Sequence, residues 1–124
     1  MLNVNKTERR EIAMDQTACA LARMEALWGR AAALTVDRWD ETSEAILTAM
    51  GITYALAVAY PTSAPVDVTG VEDKSLGECI AAAVELARGI DWEQLGASHG
   101  GLVTGLRVMI GDLSRALGAS ALQG

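Results

Sequence analysis

The 124-residue chain carries ten basic and sixteen acidic residues, a formal net charge of −6, and 51% of it is apolar. That apolar share argues against a disordered chain, and the length suffices for one hydrophobic core without metal or disulfide support. Direct nucleic-acid binding is disfavoured, because only Lys6, Arg9 and Arg10 cluster and Glu8 and Glu11 lie among them.

The apolar residues are mainly Ala, Leu, Ile, Val and Met, with no Phe and only three Trp. Packed helices suit that palette better than strands, which favour β-branched and aromatic residues. Cys19 and Cys79 fall on different predicted helices and form no CxxC, so they do not read as a disulfide framework. The segment MLNVNKTERREIA holds no apolar stretch of the signal-peptide kind. A reduced, cytoplasmic setting is the expectation.

In chain order, Thr7 is expected to cap a first helix from about Glu8 to Leu34. Its core stripe is Met14, Thr17, Leu21, Met24, Trp28 and Ala31, spaced by threes and fours, with Asp15, Arg23 and Arg30 opposite. Thr35 or Asp37 is expected to open the second helix. Asp37, Asp40, Glu41 and Glu44 would place negative charge near its positive end. From Ala45 to Tyr60 no charge occurs, and Pro61 stops the helix. The run is too short for a bilayer, which needs about 20 apolar residues, and no Lys or Arg anchors flank it. It reads instead as the central, buried helix of the fold.

Residues 61–73 form the main linker loop, within which VDVTGV has the composition of one short strand. Ser75 and Glu78 make a capping box for the third helix, which Gly89 closes. Asp91 and Gln94 repeat the capping pattern around Trp92 and predict a short turn of helix ending at Gly96. Ser98 is expected to cap the last helix, to about Leu117. Together these elements predict an all-α fold: a small four-helix, mostly antiparallel bundle with a short extra helical turn near Trp92. It is one domain over 1–124, with 1–6 and 119–124 expected to be disordered.

No motif carries chemistry. GASHGGLVTG lacks the Lys and the preceding strand that a phosphate loop needs. His99 is the single histidine, and a metal site needs several converging ligands. Beside Ser98 it is most simply a solvated residue at a glycine-rich helix start. The reading is therefore of a non-enzymatic chain without cofactor. It is a small acidic regulatory binding protein that sequesters or inhibits a protein target, by analogy of size and charge with anti-activators, immunity proteins and phage inhibitors.

Trp39, Asp37, Asp40, Glu41, Glu44 and Trp92 are the candidate partner-binding residues, because tryptophan anchors interfaces and carboxylates steer a basic surface. The uncharged second helix predicts a homodimer through Ile52, Leu56, Ala57 and Val58, with Gly101 and Gly105 admitting a close helix approach. The competing readings are a self-associating assembly subunit and a ligand-binding bundle with a pocket lined by Met24, Met50 and Met109.

Overall fold

The computed structural model describes residues 6–62 and 65–123, with side chains over 15–62 and 65–118. Four α-helices follow in order: α1 Lys6–Leu34, α2 Glu41–Ala59, α3 Leu76–Ala87 and α4 Trp92–Gln123, with a 3-10 turn at Val71–Asp73. No strand occurs among the described residues. The stretch VDVTGV holds a turn at Gly70 instead, where φ of +82° suits a residue without Cβ.

Several helix ends have a local reason. Thr7 lies inside α1 rather than ahead of it. The α1 stripe faces inward as expected: Thr17, Leu21, Met24, Trp28 and Ala31 are all buried, and Met14 lies outside the described side chains. Thr35 ends this helix, its hydroxyl donating to the carbonyls of Ala31 and Ala32 at 3.1 and 3.2 Å.

Neither Thr35 nor Asp37 opens α2. Asp40 does, because Ser43 gives it a reciprocal partner: the Ser43 N–H donates to Asp40 Oδ1 at 2.9 Å and the Asp40 N–H to Ser43 Oγ at 3.0 Å. Ser75 and Glu78 cap α3 in the same way. Asp91 accepts from the Gln94 N–H at 3.1 Å, and the helix it starts does not stop at Gly96. It bends at His99, where φ −135° and ψ 45° leave the helical range, and continues through Gln123. The extra turn near Trp92 is thus the first segment of α4. Residues 1–5 and 124, parts of the ends expected to be disordered, lie outside the described residues.

Contacts set the directions. In α1 and α2, Trp28 meets Thr53, while Ala32 and Thr35 line a cleft with Ser43 and Leu47, so the pair is antiparallel. Tyr60 meets His99 and Ala45 lies by Leu113, so α2 and α4 are antiparallel. The same reasoning applies to α3 with α4 and to α1 with α3, where Thr17 reaches Asp91 and Arg30 reaches Lys74. The ring order is therefore α1, α2, α4, α3, with every neighbour antiparallel. Helices α2 and α3 lie on a diagonal and run the same way. The chain from Tyr60 to Ser75 must then travel the length of the bundle, which makes it a crossover connection. It runs along α1, where the Arg23 guanidinium donates to the Asp67 carbonyl and Arg30 Nε to the Lys74 carbonyl at 3.1 Å. These are the arginines of the polar side of α1.

The core is mostly apolar; Thr17, Thr35, Ser43 and Thr53 are its buried polar residues among those described, and Thr53 links two helices through a side chain. Trp28 Nε1 donates to Thr53 Oγ1 at 3.1 Å, and the Thr53 hydroxyl faces Met24 Sδ at 3.9 Å. All three side chains are buried. Burying the indole N–H is affordable only with an acceptor in place.

Thr53→Val should lower stability by about 1–3 kcal/mol, the cost of a buried donor left without its acceptor, and Thr53→Ser should lower it less. Urea unfolding of both variants checks this; a valine variant as stable as the parent would refute the link.

Candidate interaction surface

The second helix is not wrapped on every side. Its buried residues, Ser43, Ile46, Ala49, Thr53 and Leu56, make one face. At one end of the bundle, the connection from α1 to α2 presents Trp39 with 83% of its surface exposed, and Val36 with 69%. Ala32, Thr35, Val36, Ser43 and Leu47 line a cleft there together with Trp39 and the Arg38 side chain. Trp39 sits just before the N-cap, outside the helix, because Asp40 takes the capping position.

The acidic residues around it divide by role. Asp37, Glu41 and Glu44 are exposed. Asp40 is already engaged, accepting from Ser43 and pairing with Arg38 Nε at 3.2 Å. The Ser43 amide holds its carboxyl below the ordinary value of 3.8, with Arg38 adding to the effect. Thr69 lowers the Asp67 carboxyl and the Ser75 amide lowers that of Glu78.

Trp92 is elsewhere and otherwise occupied. It is half-buried, its Nε1 donates to the Ala87 carbonyl at 3.0 Å, and the Arg107 guanidinium lies 5.8 Å from its ring centre. It braces the α3–α4 turn. Leu56 belongs to the core, and Ala57 packs partly against it. Gly105 is already used within the chain: a Cβ there would lie 3.1 Å from Ile52 Cδ1. Gly101 and Val58 remain exposed. Leu47 and Tyr54, also exposed on α2, escaped the sequence reading. The capping pair Asp40 and Ser43 was the signal that would have fixed the start of α2 and set Trp39 outside it.

His99 is not the solvated residue expected. Its Nδ1 lies 3.0 Å from the Tyr60 hydroxyl, and the two rings meet edge to face at 5.4 Å. The pair ties the end of α2 to the bend in α4. Ser98 is exposed. Burial pushes the Cys79 thiol up, and Cys19 is half-exposed. Among the described residues no three His, Cys, Asp or Glu side chains group as metal ligands. Met24 is buried and Met50 and Met109 are packed against the core. Comparison with protein-family models, curated proteins and solved structures finds no match.

The three lowered carboxyls bind protons less readily folded than unfolded. Their contribution is complete above their ordinary values of 3.8, 3.8 and 4.5, and is lost as pH falls through the lower folded values. The melting temperature should therefore drop in acid below those values, and Asp40→Asn combined with Glu78→Gln should flatten the drop. Thermal melts across that range, with an unchanged slope in the double variant, would contradict the assignment.

Proposed function

We propose that this chain is a small regulatory binding protein that sequesters or inhibits a protein target, docked at the cleft beside Trp39. The observation that carries the reading is the exposure of Trp39 and Val36 together, 83% and 69%, beside Leu47. A lone exposed apolar residue is ordinary on a soluble protein, whereas a cluster rimmed by charge marks an interaction site. Tryptophan supplies large apolar area at small cost in side-chain entropy. Asp37, Glu41 and Glu44 form the rim, so the fitting partner presents a basic border around an apolar centre. Asp40 contributes less to steering, because Arg38 and the helix cap already hold it. Trp92 leaves this surface, being used in the α3–α4 turn.

The chain immobilised and exposed to lysate of its native host should retain a protein that the Trp39→Ala variant releases. Against that protein, Trp39→Ala should raise the off-rate and cost about 2 kcal/mol of affinity, while the melting temperature of the variant stays at the parent value. Neutralising Glu41 and Glu44 together should slow association and weaken its dependence on salt. Equal retention by parent and Trp39→Ala, or a lower melting temperature with unchanged affinity, would overturn the reading.

A further inference from the structure

The exposed side of α2 has a pattern of its own. Leu47, Gly51, Tyr54 and Val58 follow at spacings of four, three and four, and they fall on one stripe of the helix. All four are exposed, Leu47 to 42%, Tyr54 to 58% and Val58 to 61%. No charge interrupts the helix after Glu44. By length and composition α2 could cross a bilayer, yet only 28% of its most apolar 18-residue stretch is buried within the bundle. It is neither a wrapped core helix nor an ordinary amphipathic one.

The stripe is complementary to itself. Turned antiparallel about a twofold axis between residues 52 and 53, one copy sets Tyr54 opposite the partner's Gly51, and Leu47 opposite the partner's Val58. The large ring meets the position without a side chain, and a Cβ placed on Gly51 would meet no other part of its own chain within 4 Å beyond the adjoining helix backbone. Spacings of four, three and four are also those of the a and d positions of a coiled coil, whose antiparallel layers pair a with d. A twofold contact of this kind places each residue against its counterpart in both directions, as closed dimers require.

Charge agrees with this arrangement. The acidic residues lie at the start of α2, and the helix has 19 residues, about 28 Å at 1.5 Å per residue. Antiparallel pairing puts the two acidic groups at opposite ends, well beyond the screening length of about 8 Å, whereas parallel pairing would bring them together. The negative surface of a membrane, in contrast, would repel a chain of net charge −6.

We infer that the outer face of α2 binds a second copy of this chain, antiparallel, with Tyr54 packed over the partner's Gly51. The dimer presents its two Trp39 clefts at opposite ends, ready for a bivalent target. This goes beyond the binding reading above: Trp39 and Val36 lie outside the stripe, and Leu47 is the one residue that both surfaces use.

The test is mass by light scattering at several concentrations, with circular dichroism as the control for folding. The parent chain should approach twice 13.0 kDa. Val58→Glu should be a folded monomer, because Val58 is 61% exposed in its own chain and lies outside the core. Thr104→Glu, on the exposed side of α4, should remain dimeric. Oxidation of a mixture of Leu47→Cys and Val58→Cys chains should give the mixed disulfide ahead of either self-linked product. A parent chain monomeric throughout, a dimeric Val58→Glu, or preferential self-linkage of Leu47→Cys would overturn the inference. So would a monomeric parent that sediments with phosphatidylserine vesicles, which would assign the face to a membrane.

Discussion

The buried hydrogen bond from Trp28 to Thr53 is the constraint on which the rest of the arrangement depends. Trp28 is the largest side chain in the core, and its indole N–H has to find an acceptor once water is gone. Thr53 is the residue that accepts it. A helix as apolar as α2 could otherwise rotate among several nearly equal packings, because hydrophobic burial is non-directional. One polar pair removes that freedom, as single buried polar groups do in coiled coils. With Thr53 turned inward, Ile46, Ala49 and Leu56 follow it into the core. Leu47, Gly51, Tyr54 and Val58 are then carried outward by helical geometry alone. The exposed stripe of α2 is a consequence of how the core is satisfied.

The crossover connection solves a second problem with similarly few groups. Helices α2 and α3 run the same way on a diagonal, so the chain between them must traverse the bundle. A long irregular stretch has carbonyls to satisfy and entropy to lose. Arg23 and Arg30 on α1 supply donors to two of those carbonyls. The turn at Gly70 and the 3-10 segment at Val71–Asp73 place Val71 in the core as an anchor. Polar residues on the outer side of a helix thus act as the track for a loop.

Periodicity made the fold class and the inner face of α1 legible, since Thr17, Leu21, Met24 and Trp28 repeat at helical spacing. The Ser75–Glu78 cap was legible for the same local reason. What could not be read was the rotation of α2. A helix apolar all round has no stripe to show which side is in, and the polar exceptions, Ser43 and Thr53, are small enough to pass as apolar. Leu56 therefore looked like surface and Tyr54 went unnoticed. The capping box at Asp40 was missed because Thr35 and Asp37 offered earlier starts, and it shifts Trp39 out of the helix altogether. The bend at His99 falls where Gly96, Gly100 and Gly101 weaken the helix, and it coincides with the contact to Tyr60, 39 residues away. Gly105 was rightly singled out for close packing, yet Ile52 of the same chain fills the approach.

The arrangement of α2 turns on the Trp28 link, and the indole protons report on it directly. Trp28 is buried and bonded to Thr53, Trp92 is half-buried and bonded to the Ala87 carbonyl, and Trp39 is exposed. Hydrogen exchange followed by nuclear magnetic resonance on the isolated protein resolves the three N–H signals. Trp39 should exchange at the rate of a free indole, Trp92 more slowly, and Trp28 slowest, at the rate of global unfolding. A Trp28 indole proton that exchanges as fast as that of Trp39 would contradict the Trp28 link.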